Sequence, residues 1–169
     1  MLPDQKIPLD QKLPPDLPPI PGAWVHVKAG TFGMGEVSGD VCYAWQTRHQ
    51  VTLTHGFEIQ ATETTQKQFR EVMGYNLSAH MSCGGACPVE RLSWHEAAAY
   101  CNALSAKVGL TPCYACTGSQ QNVSCTTKTA AKGKAFYACP GYRLPTEAEW
   151  EVAYRAGTTG NYYLPGVLN

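Results

Sequence analysis

The stretch Cys139-Pro140-Gly141-Tyr142-Arg143-Leu144-Pro145-Thr146-Glu147-Ala148-Glu149-Trp150-Glu151-Val152-Ala153-Tyr154-Arg155-Ala156-Gly157 decides the reading of this chain. Pro145 holds Leu144 extended, because its ring clashes with a helical residue before it. Thr146 is a good N-cap, and Glu149 three residues on completes a capping box. Glu147, Glu149 and Glu151 bring negative charge to the first turns and Arg155 brings positive charge to the last, which suits the helix dipole. Gly157 is the expected stop. The spacing therefore predicts a helix between Thr146 and Gly157. Trp150, Ala153 and Tyr154 fall at i, i+3 and i+4, so this face is expected to meet a core.

Upstream, Ser93 and Glu96 form a second capping box, opening a helix to about Ala106. Trp94, Ala97, Ala98, Cys101 and Leu104 make a stripe at helical spacing. Thr64 or Thr65 caps a shorter helix through Met73, with Phe69, Val72 and Met73 on its inner face and Gly74 at its end. Trp24, Val25 and Val27 suggest a strand, and the glycines at 30, 33 and 35 lead into a second. Val51 and Leu53, then Phe57 and Ile59, alternate with polar residues around His55-Gly56. That pattern predicts a hairpin of two short strands. Residues 1–22 hold seven of the twelve prolines. Such sequence favours an extended, poorly hydrogen-bonded chain, so 1–22 reads as a spacer or disordered tail and 23–169 as the domain.

The chain has 169 residues, with 13 Lys+Arg against 13 Asp+Glu. A formal net charge of zero argues against a nucleic-acid partner or an anionic membrane surface, which need a basic excess. No apolar run reaches membrane-spanning length. Eight cysteines point to an oxidising compartment. Residues 1–20 contain no signal-peptide core, so export is expected with the signal outside this sequence, and a lipid anchor before the tail is one form of it.

Local geometry narrows the cysteine pairings. Cys83 and Cys87 flank Gly84-Gly85-Ala86, small residues that permit the close approach a bridge needs. Nested pairs, Cys113–Cys139 and Cys116–Cys125, would close the irregular segment 113–139 without crossing. The rival is zinc on Cys113-x-x-Cys116 plus two later thiolates, but Cys125 and Cys139 lack the matching spacing. A redox role for Cys113-x-x-Cys116 lacks the surrounding βαβ pattern. Cys101 lies on the helical stripe, where cysteine behaves as a small apolar residue. Cys42 has no obvious partner; pairing with Cys101 and two free thiols are the alternatives.

Catalytic, cofactor-binding and metal-ligating residues are not assigned. The histidines at 26, 49, 55, 80 and 95 form no His-x-x-x-His pair. The three glutamates after Thr146 are explained by capping and dipole rather than acid–base chemistry. Arg143 and Arg155 are expected in structural salt bridges. No phosphate loop, dinucleotide fingerprint or nucleophile elbow occurs. Asn76-Leu77-Ser78 and Asn122-Val123-Ser124 fit the glycosylation pattern.

Gly141 through Glu151, above all Arg143, Leu144, Pro145, Thr146, Glu147, Glu149 and Trp150, resembles the signature of the formylglycine-generating enzyme, or sulfatase-modifying factor, family. The segment Trp24 to Gly35 is similar to that domain's opening. So are Val51 to Thr54 with Phe57 to Gln66, and Cys87 to Glu90 with Ser93-Trp94 and Ala98 to Asn102. These blocks run in family order from about residue 24 to 160.

The resemblance implies an α+β domain, a variant of the C-type lectin-like fold, with short strands, about three helices and much irregular loop. It implies that residues 23–169 are the N-terminal portion of the domain and that the domain is incomplete. It further implies a parent that oxidises a sulfatase cysteine to formylglycine with oxygen and copper on two thiolates, soft ligands suited to Cu(I). The family's catalytic cysteines and calcium-binding segments lie in the C-terminal part, so copper and calcium are expected only in the complete parent and none in this chain. The alternative is a non-catalytic binding or scaffold module for a protein or peptide. One departure from the family pattern is Tyr154, where alanine is usual. The cysteine matching Cys101 bridges, in some members, to the later half. Apolar surface such as Tyr162, Tyr163 and the free side of Trp150 is expected to await that half, a second chain or an oligomer.

Overall fold

The computed structural model describes residues 22–35, 47–128 and 133–158. The tail 1–21, Cys42, Tyr162 and Tyr163 lie outside the described residues. Strands β1 (Trp24–Val27) and β2 (Gly30–Met34) are followed by β3 (His49–Leu53) and β4 (Phe57–Gln60). Helix α1 (Gln66–Met73) and helix α2 (Trp94–Lys107) come next. The hairpin β5 (Tyr114–Thr117) and β6 (Ser124–Thr127) precedes helix α3 (Glu147–Arg155). Among the described residues this is a mixed α+β fold of three α-helices and small sheets.

The predicted β3–β4 hairpin is corrected. β1 pairs antiparallel with β4 and β2 with β3, in registers running Trp24 to Gln60 and Gly30 to Leu53. The two ladders follow one another along the same two segments. Lys28 and Ala29 on one side face Thr54, His55 and Gly56 on the other, so one strand carries an extra residue, as in a β-bulge. A hairpin across Thr54–Gly56 would leave β1 and β2 without these partners and their backbone groups unpaired. The alternating pattern in 51–59 was real, but it announces two ladders and a bulge rather than a turn.

All three helices open with capping boxes: Thr65 with Gln68, Ser93 with Glu96 and Thr146 with Glu149. Gly74 ends α1 in the left-handed conformation. At α3 the left-handed cap is Ala156, with φ 46°, and Gly157 follows with φ 85°. The chain thus turns one residue earlier than the glycine predicts.

Two apolar clusters hold these elements together. Phe69, Tyr100 and Leu104 join α1 to α2, with the Phe69 and Tyr100 rings stacked at 5.5 Å. Ala98, Cys101, Cys113, Tyr114, Val123 and Cys125 join α2 to the β5–β6 hairpin. The predicted stripe on α2 holds for Ala98, Cys101 and Leu104, but Trp94 is 49% exposed. Trp94 sits at the first turn and meets the Tyr114 ring edge to face, with centroids 5.5 Å apart.

Candidate functional site

The signature stretch forms the hub around which the second cluster is built. Gly141 packs against the loop after α2: a Cβ there would overlap the Thr111 carbonyl oxygen and lie 2.8 Å from Ser105 Oγ. That close approach explains the glycine. The Tyr142 N–H donates to Ser105 Oγ at 2.8 Å, and that hydroxyl donates to the Cys101 carbonyl at 2.8 Å. The Leu144 N–H donates to the Tyr114 hydroxyl at 3.0 Å. Pro145 keeps this segment extended, so its N–H groups point away from a helix and must find such partners.

Glu149 is buried, at 1% exposure, and binds four donors. Arg143 donates to both carboxylate oxygens at 2.7 Å, and the Thr146 N–H and hydroxyl donate at 2.8 and 3.1 Å. Burial by itself pushes the Glu149 carboxyl up, but the bonds from Arg143 and Thr146 outweigh it and hold the pKa below its ordinary value. The Arg143 guanidinium also lies over the rings of Phe136 and Tyr137, at 4.7 and 5.5 Å. This cation is thus fixed by a carboxylate in its plane and aromatic faces beside it.

At the other end of α3, Glu151 and Arg155 fasten the helix to β2. Arg155 donates to Glu151 at 2.8 Å and to the Gly35 carbonyl at 2.6 Å, and the Gly35 N–H donates to Glu151 at 2.8 Å. Sequence reading expected salt bridges for Arg143 and Arg155. It missed the Glu151–Gly35–Arg155 clamp and the Tyr114 hydroxyl. The i, i+4 spacing of Glu151 and Arg155 was a signal for the pair; nothing local signals partners more than 100 residues away.

The expected apolar face of α3 is corrected. Trp150 and Tyr154 do not enter a core: they are 55% and 44% exposed and stack on one another at 5.2 Å with nearly parallel planes. The side of α3 turned inward carries Glu149 and Arg155 instead. Helical spacing shows that two residues share a face, but not which face the protein covers. Glu147 stands at the first turn, where its charge favours the helix N-terminus.

Cystines join Cys83 to Cys87, Cys113 to Cys139 and Cys116 to Cys125. Cys116 and Cys125 face each other across the β5–β6 ladder. Cys101 carries a free, buried thiol. Of the two glycosylation patterns, Asn76 donates to the Gln66 side chain and accepts from the Ser78 N–H, whereas Asn122 stands exposed at the hairpin turn.

The model of the sulfatase-modifying factor enzyme 1-like domain matches residues 15–167. The chain belongs to the sulfatase-modifying factor enzyme 1-like family. Treponema denticola variable protein 1 superposes with a TM-score of 0.64 at 29% identity, over 86% of this chain and 56% of that one. PvdO from Pseudomonas aeruginosa shares the fold with a TM-score of 0.58 at 20% identity, over 88% of this chain and 52% of PvdO. The chaperone protein LppX of Paenibacillus barcinonensis is 40% identical over 116 residues, 63% of this chain and 38% of LppX. The chain therefore spans about half, or less, of the length of these relatives.

Family membership raises the question of copper held by two thiolates. Among the described residues six cysteines are in cystines and Cys101 alone is a thiol. No group of three or more His, Cys, Asp or Glu side chains able to hold a metal is found among them. This donor set does not fit the group, and no step through it follows for these residues. Burial pushes the Cys101 thiol up to about 12. It is therefore expected to resist alkylation at pH 8 in the folded protein and to react within minutes in denaturant, read by mass mapping. Cys101→Ser is expected to cost about 1–2 kcal/mol, through a poorly satisfied buried hydroxyl, with the three cystines intact.

Proposed function

We propose that this chain is the N-terminal portion of an exported, non-catalytic sulfatase-modifying-factor-like module that holds a protein or peptide ligand, with residues 1–22 as its tether. The observation that carries this is the division of labour on α3. The charged groups of the signature bind one another and the scaffold, while two stacked aromatic rings face outward. Aromatic side chains offer large, rigid contact area at low entropic cost. A relative named as a chaperone, with 40% identity over 116 residues, supports a holding role. Three cystines suit an oxidising compartment, and no helix among the described residues is long and apolar enough to cross a membrane.

The second reading is the catalytic parent, favoured by the family description itself. In it this chain supplies the scaffold, and the chemistry resides outside the described residues. The complete protein separates the two. Given copper, oxygen and a sulfatase-derived cysteine peptide, it is expected to form no aldehyde. It is expected instead to suppress aggregation of a chemically unfolded exported enzyme, and Trp150→Ala with Tyr154→Ala is expected to weaken that protection at nearly unchanged stability, since both rings are exposed. Aldehyde formation would establish the catalytic reading. Protection indifferent to the double variant would remove α3 from the binding surface.

A further inference from the structure

The Cys83–Cys87 loop is tied to one end of α1. The first N–H groups of a helix have no partner within it. In α1 the Gln66 N–H donates to the Cys87 carbonyl at 2.8 Å, and the Lys67 N–H to the Gly85 carbonyl at 3.0 Å. The Gln68 N–H goes to the Thr65 hydroxyl, and the Phe69 N–H to the Thr65 carbonyl. Two of the helix's first four amides are thus capped by the cystine loop and two by Thr65. Gly85 lies so close that a Cβ there would be 3.2 Å from the Lys67 Cβ. The Cys87 N–H in turn donates to the Gly84 carbonyl, closing the turn that presents those two acceptors.

The base of the loop is held independently of the cystine. The buried Gln66 side chain donates to the carbonyls of His80 and Pro88, at 3.3 and 3.4 Å, and accepts from Asn76. The His80 N–H donates to Glu90, and the Val89 N–H to the Thr64 carbonyl. The loop's tip, residues 84–87, is closed by the bridge together with two short turn bonds, from the Gly84 N–H to the Met81 carbonyl and from the Cys87 N–H to the Gly84 carbonyl. Access also separates this bridge from the other two. Its Cys83 is exposed and its Cys87 half-buried, whereas each of the other bridges joins a buried cysteine, Cys113 or Cys125, to a half-buried one, Cys139 or Cys116.

We infer that Cys83–Cys87 is a reducible latch on the N-terminal end of α1, opened by a dithiol reductant while the domain stays folded. One thiolate of the reductant attacks an accessible cystine sulfur. A mixed disulfide forms and the other cysteine leaves as a thiolate, which takes up a proton. The reductant's second thiol then displaces the remaining cysteine, so the latch gains two electrons and two protons and the reductant becomes a disulfide. Opening releases the acceptors at Gly85 and Cys87 and leaves the Gln66 and Lys67 amides to water. Gln68 and Phe69 stay capped by Thr65.

Graded dithiothreitol, followed by alkylation and mass mapping, tests the order of opening on the full chain. Amide hydrogen exchange tests its consequence. The expected result is that Cys83 and Cys87 are alkylated while Cys113–Cys139 and Cys116–Cys125 remain joined. The Gln66 and Lys67 amides should then exchange on the order of tenfold faster, with Gln68 and Phe69 unchanged. The double variant Cys83→Ser, Cys87→Ser should give the same exchange pattern in a folded protein without reductant. Earlier or simultaneous opening of another cystine would overturn the inference. So would unchanged exchange at Gln66 and Lys67, or unfolding of the double variant.

Discussion

Replacing Glu149 with alanine is expected to destabilise the fold by about 3–5 kcal/mol, the range for removing one partner of a buried ion pair. The change leaves the Arg143 guanidinium with the Leu144 carbonyl but no other carboxylate among the described residues, and orphans the Thr146 N–H of the capping box. Glu149→Gln keeps the shape and one acceptor oxygen, so it should lose less, and chemical denaturation of the two variants should rank them in that order. The pH dependence follows from the same carboxylate. Its pKa is depressed in the folded state, so in acid the unfolded chain binds more protons than the native one. The stabilisation is present above the ordinary carboxylate pKa and is lost as pH falls through the folded value. Glu149→Gln should therefore flatten the acid limb of the stability curve. A variant that keeps the wild-type acid limb would show that other carboxylates govern it.

Tyr114→Ala is expected to cost about 3–5 kcal/mol, because a ring at 2% exposure is removed from the centre of the cluster between α2 and the β5–β6 hairpin. Its ring meets Trp94 and Phe136, and Asn102 pairs with its backbone N–H and carbonyl. Tyr114→Phe isolates one further contribution. It keeps the ring but leaves the Leu144 N–H without its acceptor, which should cost about 1–3 kcal/mol. Thermal or denaturant unfolding should place Phe between wild type and Ala. If Phe matched wild type, water would be satisfying Leu144, and the tyrosine would act by volume alone.

The helices were legible in the sequence because their start signals are local. Ser93 with Glu96 and Thr146 with Glu149 each sit three residues apart, and a capping box needs nothing beyond that span. The cystine pairs were narrowed rather than fixed by the sequence: nesting and small intervening residues restrict which sulfurs can meet, but zinc on the same thiolates stayed a rival. The strand pairing was not. Alternation in 51–59 identifies strands, but register and partner depend on which segments the chain brings alongside, here 24–34.

For the candidate site, the sequence by itself determined that residues 139–157 form an extended entry and a capped helix, and that these residues carry the family signature. Only the tertiary structure decided which side of that helix is inside. Glu149 and Arg155 turn inward because donors and acceptors await them at Arg143, Thr146, Glu151 and Gly35, while Trp150 and Tyr154 stack on each other and stay exposed. A buried charge is tolerable only where its partners are already in place, and those partners come from segments the helix's own sequence does not contain.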